Sequence, residues 1–160
     1  MLLNADQVAE LLQTNNKGAK AQVGYDLTLK AVSKVYGGMV LKDKTVVEDY
    51  EPVQPVLSPT GKYIFTLEPG VYSLTFDQGC KLPENRTAFI RHRSSILRCG
   101  AVITSGVYDP GFEVDEMGGV MFVNSKMHVE VGARVAQIIM IENNTAELYD
   151  GQWQGAKDVK

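Results

Sequence analysis

One stretch of the sequence is more informative about the fold than any other: residues 91–119, which read RHRSSILRCGAVITSGVYDPGFEVDEMGG. Short apolar and β-branched runs alternate there with turn residues, and Asp109-Pro110-Gly111 is a strong turn signal. The same pattern continues on both sides of the stretch. It predicts strands at 71–76, 87–90, 101–104, 120–123 and 135–141. Many short strands separated by Gly or Pro turns are typical of an all-β sandwich or barrel.

The N-terminal residues follow a helical pattern instead. Asn4 can cap a helix, Gln7 stands at capping-box spacing from it, and an apolar stripe runs from Val8 to Leu12. Residues 15–18, Asn-Asn-Lys-Gly, are expected to end this helix. A short N-terminal helix is therefore predicted to precede the strands.

Two further segments lie between this helix and the predicted strand at 71–76. Residues 25–35 alternate loosely and lead to Gly37-Gly38, which we predict to be a hairpin turn into residues 39–41. Three of the six prolines fall within 51–59, so this segment is expected to be an extended loop or an edge segment.

Composition excludes several classes of partner. The chain has 160 residues, with 16 Lys+Arg against 19 Asp+Glu and a net charge of -3. That charge gives no reason to expect binding to nucleic acid or to an anionic membrane. No apolar run approaches the ~18 residues that span a bilayer, and the N-terminus lacks the basic and apolar blocks of a signal peptide.

No repeat or linker divides the chain, so we predict one β domain over residues 1–160, with a C-terminal tail at about 146–160.

Cysteine and histidine are rare in this sequence. Cys80 and Cys99 cannot build a disulfide scaffold, and with His92 and His128 they do not approach zinc-ligand spacing. We therefore expect a cytoplasmic protein in which both cysteines are buried or half-buried.

The arginines are clustered. Four of the five lie between Arg86 and Arg98. Within that span Arg93, Ser94, Ser95 and Arg98 supply two hydroxyls and two guanidiniums, the groups that hold phosphate oxygens through charge-assisted hydrogen bonds. The same residues also suit a strand-to-helix junction with serine capping and solvated arginines. The residues alone leave both interpretations open.

Asp109 follows Arg98 by eleven residues and begins the Asp-Pro-Gly turn. As a structural feature, this turn is a hairpin loop with an Asx-type hydrogen bond. As a functional feature, it holds a carboxylate rigidly at the mouth of a loop, where it could orient and deprotonate a water. Tyr108 and Phe112 flank the turn and can pack either in the core or on a base or sugar.

Five motifs spread along most of the chain support a more specific prediction. They are Gly-Tyr-Asp-Leu at 24–27, Arg-Ser-Ser-Ile-Leu-Arg at 93–98, Val-Tyr-Asp-Pro-Gly-Phe at 107–112, Ala-Arg-Val-Ala-Gln at 133–137 and Tyr-Asp-Gly-Gln-Trp-Gln-Gly at 149–155. In this order they resemble the motifs of the superfamily of trimeric deoxyuridine triphosphatases (dUTPases) and deoxycytidine triphosphate (dCTP) deaminases. The last motif is similar to the tail of the deaminase branch. Each motif is weak alone, and the ordered set is strong evidence for the superfamily.

The catalytic glutamate of the deaminase branch is missing. Deaminases of the superfamily carry it on the strand after the Asp-Pro-Gly hairpin, at the position that is Met121 here, and methionine can neither shuttle a proton nor activate water. The acidic residues within 113–116 are interpreted as a solvated loop. The interval from Arg98 to Asp109 is closest to that of compact archaeal-type dUTPases. A zinc-dependent cytidine deaminase is excluded because its His/Cys-Pro-Cys-x-x-Cys pattern is absent from the sequence.

The resemblance implies a distorted β-barrel or jelly-roll-like fold and Mg²⁺-dependent hydrolysis of dUTP to dUMP and pyrophosphate. Asp109 would activate the attacking water, and Asp26 would help to position Mg²⁺ through water, because this ion keeps much of its hydration shell. Neutralising the triphosphate and placing one water can supply most of the rate acceleration. The substrate-binding residues implied are Arg93, Ser94, Ser95, Arg98, Tyr108, Phe112, Gln137, Tyr149, Trp153 and Gln154.

The resemblance also implies a homotrimer with active sites shared between subunits. A shared site is physically reasonable, because one β domain of this size with short loops has little concavity of its own. No arginine follows Arg134, so Lys157 is either the substitute donor for the γ-phosphate or a solvated lysine. The base is expected to be recognised by backbone groups of residues 103–108, which leaves uracil and cytosine unresolved.

Two alternatives stay open at this point. One is a dCTP deaminase, or a bifunctional enzyme acting on dCTP and dUTP, in which Glu113 or Glu116 replaces the missing glutamate. The other is a non-catalytic nucleotide-binding protein.

Overall fold

The computed structural model describes residues 1–42, 46–144, 147–151 and 153–155. Within these residues the chain forms two short helices and fourteen strands. The helices are α1 (Ala5–Glu10) and α2 (Ser94–Arg98). The strands are β1 (Leu12–Gln13), β2 (Ala19–Lys20), β3 (Tyr25–Val40), β4 (Val46–Pro52), β5 (Val56–Leu57), β6 (Tyr63–Leu67), β7 (Gly70–Phe76), β8 (Gly79–Lys81), β9 (Arg86–His92), β10 (Ala101–Thr104), β11 (Glu113–Val114), β12 (Gly118–Val123), β13 (Met127–Glu130) and β14 (Arg134–Glu142).

Six of the strands close into a ring. Their order is β14-β9-β10-β12-β7-β3, and β14 also pairs with β3, which returns the sheet to its start. All of these pairings are antiparallel. Two three-stranded sheets, β1-β8-β11 and β13-β6-β5, accompany the ring. The predicted all-β fold and distorted barrel are thus confirmed.

The core fills the ring because successive side chains of a strand point to opposite faces of the sheet, so each strand sends some of its side chains inward. Each of the six strands contributes a side chain that is at most 1% exposed: Leu27, Leu74, Ile90, Ile103, Met121 and Ile138. Burying a side chain of this size stabilises a fold by about 1.5–3 kcal/mol. The position that is glutamate in the deaminases, Met121, therefore belongs to the core.

The capping box predicted for the N-terminal helix is confirmed. The Asn4 side chain accepts from the Gln7 amide, and the Gln7 side chain accepts from the Asn4 amide, both at 3.0 Å. The helix ends at Glu10, earlier than predicted, because Leu12 and Gln13 leave it to pair with β8 as strand β1. Neither described helix is long and apolar enough to cross a membrane.

The hairpin turn predicted at Gly37-Gly38 is wrong. Strand β3 continues through both glycines to Val40, and Gly37 lies opposite Asp49 of β4. A bulge between Val35 and Gly37 shifts the register, and Gly37 has a φ of +129°, which other residues rarely adopt. Glycines therefore mark a bulge here, where the sequence pattern indicates a turn.

The segment 51–59 lies at sheet margins, as predicted. Strand β4 ends at Pro52 and pairs with β3 beside the ring, while β5 is the outer strand of its sheet. Proline has no amide to donate, so such margins suit it better than the middle of a sheet.

Candidate active site

A buried carboxylate on β3 holds two arginines. Asp26, whose side chain is only 7% exposed, forms an ion pair with Arg93 (Oδ2 to Nε, 3.1 Å) and accepts a hydrogen bond from Arg134 Nη1 at 3.4 Å, also through Oδ2. Arg93 Nη1 also donates to the Arg134 carbonyl at 3.2 Å. These three residues, the arginine cluster, carry one negative and two positive charges. The surplus positive charge faces solvent, since both guanidiniums are partly exposed.

A β-bulge in β14 brings Arg134 to this cluster. Arg134 and Gln137 are three positions apart, so a regular strand would point them to opposite faces. The register between β14 and β3 shifts between Arg134 and Ala136, and Gln137 then lies directly opposite Asp26. Both side chains consequently share the face of Asp26. Because the Val135 carbonyl accepts from the Arg93 amide at 3.0 Å, the bulge also anchors the start of α2.

The two serines of the arginine-rich segment are exposed at the beginning of α2. Arg93 is the N-cap of this helix, with an extended conformation, and no side chain makes the capping hydrogen bond. Ser94 and Ser95 are therefore not caps, which removes the structural role that the sequence left open for them. Arg98 lies in the last turn and is exposed. Ser94 and Ser95 thus directly follow Arg93 of the arginine cluster and Gln137 lies opposite Asp26, whereas Arg98 lies at the other end of α2.

A large concavity lies beside the Asp-Pro-Gly hairpin. This hairpin pocket has a volume of about 640 Å³. Its lining is mainly apolar and aromatic, and it includes residues 104–108 and the aromatic residues Phe112, Tyr149 and Trp153. Val120 and Phe122 of β12 also line it, while Met121 between them points into the core. Four predicted substrate-binding residues thus surround one pocket.

Asp109 lies next to this pocket, on a turn fixed by its neighbours. The Phe112 amide donates to the Asp109 carbonyl at 3.1 Å, which closes the turn. Tyr108 Oη donates to the Gly118 carbonyl at 2.6 Å, and the Tyr108 and Phe112 rings meet edge-to-face at 5.1 Å. The Asp109 side chain itself is exposed. The chain thus presents a free carboxylate on a rigid support.

The C-terminal tail packs on this same turn within one chain. Tyr149 stacks edge-to-face on Phe112 with centroids 5.1 Å apart, and its amide donates to the Pro110 carbonyl at 2.8 Å. Gln154 bonds the turn with both ends of its carboxamide. Trp153 and Tyr149 close one side of the hairpin pocket. Lys157, the predicted substitute donor for the γ-phosphate, lies outside the described residues.

The predicted site residues therefore form two groups in one chain. Arg93, the two serines that follow it and Gln137 lie at or beside the arginine cluster, whereas the aromatic residues line the hairpin pocket and Asp109 lies next to it. No described residue of the arginine cluster lines the pocket. Strand β9 connects the two groups, because Ala88 pairs with Tyr108 and the chain continues from His92 into Arg93.

Sequence reasoning missed the role of Arg134 and left that of Glu116 open between a solvated loop and a replacement for the missing glutamate. Arg134 was noticed only as part of a motif, because its approach to Asp26 depends on the bulge. Glu116 was assigned to a solvated acidic loop, but it is half-buried, pairs with Lys30 and lines the hairpin pocket. Its neighbour Asp115 is exposed, as predicted, and Glu113 pairs with Lys81 at 3.2 Å on strand β11.

The donor set does not form a protein cage for a metal ion. Among the described residues, no three His, Cys, Asp or Glu side chains come together as a metal-binding group. The donors do suit Mg²⁺ held mainly by phosphate oxygens and water, since such an ion needs only one or two carboxylates. Asp26 makes both ion pairs with Oδ2, so Oδ1 is the oxygen that could accept from a metal-bound water.

Comparison with known proteins agrees with the five motifs. A family model described as dCTP deaminase-like matches residues 3–143. A probable deoxyuridine 5'-triphosphate nucleotidohydrolase of Halobacterium salinarum is 31% identical over 133 residues, which cover 82% of this chain and 80% of the relative. The deoxyuridine 5'-triphosphate nucleotidohydrolase of Methanocaldococcus jannaschii is 29% identical over 159 residues, or 97% of this chain and 99% of that one. These matches confirm the resemblance to the superfamily.

A solved structure supports the fold. The crystal structure of 2'-deoxycytidine 5'-triphosphate deaminase from Agrobacterium tumefaciens superposes with a TM-score of 0.63 at 14% identity. The alignment covers 87% of this chain and 47% of that chain, so this protein spans about half the length of the deaminase chain. At this identity the likeness concerns the fold alone.

Proposed function

Because the chain belongs to the dCTP deaminase-like family, we propose that it hydrolyses dUTP to dUMP and pyrophosphate. Two of its archaeal relatives are named for nucleotidohydrolase activity on deoxyuridine triphosphate. The observation that carries the proposal is the arginine cluster: two guanidiniums fixed by one buried carboxylate, next to two exposed serine hydroxyls. This is the chemistry that a triphosphate requires.

The phosphate chain is proposed to lie across the start of α2. Arg93 and Arg134 each give one or two of their N–H groups to the protein, so others stay available for phosphate oxygens. Ser94 and Ser95 add hydroxyl donors, and Gln137 adds an amide from the neighbouring strand. Arg98 supplies a further positive charge from the end of the helix.

The nucleoside is proposed to occupy a hairpin pocket. Apolar and aromatic walls suit a base and a deoxyribose, and the pocket volume of about 640 Å³ can contain both. Thr104 and Tyr108 are held by backbone pairing with neighbouring strands. Among the described residues, the amides of 105–107 between them donate no such backbone hydrogen bond. The backbone amides of this segment are therefore available to donate to the polar edge of a base.

Asp109 is proposed to take the proton of the attacking water. The products require cleavage of the bond between the α- and β-phosphoryl groups, with the water oxygen joining dUMP and the electron pair leaving with pyrophosphate. The exposed Asp109 carboxylate on its fixed turn can orient that water and accept its proton. The arginines stabilise the negative charge that builds up on the leaving pyrophosphate.

Mg²⁺ is proposed as the cofactor of this reaction. When bound, it would neutralise the negative charge of the phosphate groups. Asp26 would hold it through water, while Arg93 and Arg134 keep the Asp26 carboxylate in place.

A homotrimer with shared sites is proposed because the two groups of site residues are separate in one chain. If a neighbouring subunit brings its arginine cluster to the hairpin pocket of this one, phosphate-binding and catalytic residues meet at the interface. A chain that is active as a monomer at micromolar concentration, judged by light scattering, would contradict this assembly.

One assay tests the proposed activity. The protein is incubated with dUTP or dCTP and Mg²⁺, and pyrophosphate and ammonia are measured in each reaction. Pyrophosphate from dUTP is expected. Tight dUTP binding without pyrophosphate release would instead indicate a non-catalytic nucleotide-binding protein.

Deamination of dCTP is the second candidate, and the position of Glu116 favours keeping it. This is the one carboxylate among the described residues that line the hairpin pocket. In that reaction water replaces the amino group of cytosine, which leaves as ammonia, and a carboxylate must move the proton. If ammonia is released from dCTP, Glu116→Gln should abolish it, and Glu113→Gln, at a residue that pairs with Lys81, should not.

A further inference from the structure

The backbone of the Asp109 turn (residues 109–113) is held largely by the tail. Each of its five carbonyl groups accepts a hydrogen bond. Two come from Phe112 to Asp109 at 3.1 Å and from Leu82 to Phe112 at 2.9 Å. The other three come from the tail: the Tyr149 amide to Pro110 at 2.8 Å, Gln154 Nε2 to Gly111 at 3.0 Å and the Gly155 amide to Glu113 at 2.8 Å.

Gln154 is the tail side chain that bonds this turn twice. Its Nε2 donates to the Gly111 carbonyl at 3.0 Å, and its Oε1 accepts from the Glu113 amide at 3.2 Å. The carboxamide therefore bridges the Gly111 carbonyl and the Glu113 amide, and it fixes the orientation of these two backbone groups relative to each other. A side chain engaged in this way is better placed to support the turn than to reach for a nucleotide.

The tail is shaped for this contact by two glycines. A Cβ at Gly151 would lie 2.4 Å from the Tyr149 ring, so the ring can pack there only against glycine. A Cβ at Gly111 would approach the Leu148 side chain to 3.2 Å, and the φ of Gly111 is +80°. The Trp153 amide then donates to Tyr149 Oη at 3.2 Å, which closes the tail on itself. The tail thus packs directly against the turn of its own chain.

We infer that Gln154 is a positioning residue for Asp109. It holds the turn so that the carboxylate keeps its direction, and it acts on turnover instead of nucleotide binding. The inference rests on the proposed function, since that function gives Asp109 its catalytic role, and it replaces the substrate contact predicted for Gln154 from sequence.

Steady-state kinetics of tail variants test the inference. Gln154→Ala should lower kcat about 10- to 100-fold, with KM and the Kd of a non-hydrolysable dUTP analogue within threefold. Gln154→Glu should also lower kcat, because a carboxylate cannot donate to the Gly111 carbonyl. The matched control is Asp150→Ala, an exposed tail residue, which should keep wild-type kcat. An unchanged kcat in Gln154→Ala, with or without a tenfold rise in KM, would overturn the inference.

Two measurements without nucleotide separate this inference from the proposed function. Amide exchange at Glu113 should be at least tenfold faster in Gln154→Ala than in the wild type, while exchange in β9 stays the same. Trp153, the single tryptophan, should keep its emission wavelength in the variant, because the contact between Tyr149 and Phe112 still holds the tail at the hairpin pocket. Identical Glu113 exchange in the two proteins, or a shift of the Trp153 emission to longer wavelength in the variant, would refute the positioning role of Gln154. If the wild type releases no pyrophosphate from dUTP, the proposed function fails, but these two readouts still decide whether Gln154 fixes the turn.

Discussion

Asp109 projects into solvent from a turn whose carbonyl groups all have hydrogen-bond partners. Asp109→Asn keeps the size of the side chain and removes its ability to take a proton. We expect kcat for dUTP to fall about 10²- to 10⁴-fold, the usual effect of losing a general base, with nucleotide Kd within threefold. Asp150→Asn is the control for the loss of one negative charge, because Asp150 is an exposed residue of the tail. Near-normal hydrolysis by Asp109→Asn would remove Asp109 from the mechanism.

Arg134 is expected to serve the outer phosphates, because it shares Asp26 with Arg93 and still has free N–H groups. Arg134→Gln should weaken dUTP binding about tenfold, which corresponds to one charge-assisted hydrogen bond, and leave dUMP binding within twofold. Calorimetry in the Asp109→Asn background measures both without turnover. Arg86→Gln, which removes a pair with Glu142 at 3.1 Å, is the matched control. Equal losses for dUMP and dUTP would exclude this role.

The two cysteines differ in environment, although the sequence predicts both to be buried or half-buried. Cys80 is buried and Cys99 is exposed. Burial disfavours the thiolate and raises the pKa of Cys80 from 9.0 to about 12. At pH 8 the native protein should therefore expose one rapidly reacting thiol to a disulfide reagent, and two after unfolding. The variant Cys99→Ser should leave none in the native state, and a rapid native reaction in that variant would contradict the burial of Cys80.

Residue types alone predict much of the site, but not its geometry. The guanidinium and hydroxyl groups of Arg93, Ser94 and Ser95 indicate phosphate binding from the sequence alone, and the three residues are consecutive at the start of α2. The contact of Arg134 with Asp26 depends on a β-bulge that changes which face of β14 this side chain lies on. No residue type within 133–137 indicates a bulge. Gln154 was expected on the substrate and lies on the turn, because side-chain amides suit either role and only the fold decides between them.

At the scale of elements, the approach of β3 to β14 depends on Gly24. A Cβ at this position would lie 2.2 Å from the Ile138 carbonyl, so alanine must push the strands apart just before Asp26. Gly24→Ala should lower the free energy of unfolding by about 1–3 kcal/mol, as overpacking does. Denaturant unfolding measures the change. Gly106→Ala, where a Cβ meets no atom within 4 Å, is the control and should unfold at the wild-type midpoint. Equal midpoints for both variants would contradict this close approach.

Strands with clear alternation are predictable, and those made by distant pairing are not. The predicted strands at 101–104 and 135–141 agree with β10 and β14 to within a residue at either end. Strands β6 and β13 were not predicted, because each is short and finds its partner about sixty residues away in the chain. Helix α2 has only five residues, too few to show a helical period.

At the scale of the whole molecule, subunit mixing tests the shared site. Arg93→Ala disables the arginine cluster and Asp109→Asn disables the turn, so each variant alone should be inactive. If every site takes its cluster from one subunit and its turn from another, about a quarter of the sites in random mixed trimers contain both intact groups. Refolding equal amounts together should therefore restore about a quarter of wild-type activity.

The control for this experiment is a mixture in which both substitutions are on the same side of the site. Arg93→Ala mixed with Asp26→Ala leaves no complete arginine cluster in any subunit and should restore no activity. Sites contained within one chain would give no recovery in either mixture. Light scattering of the wild type should report about three times the 17.6 kDa of one chain.

The strand that closes the ring, β14, comes last in chain order among the described strands, and it pairs with both β3 and β9. During translation, therefore, β3 and β9 emerge as open edges and stay so until residues 134–142 have been synthesised. Unpaired edges are templates for pairing between chains. A nascent or truncated polypeptide that stops before β14 should consequently aggregate, so the supply of this protein in a cell depends on ribosomes reaching the end of that strand.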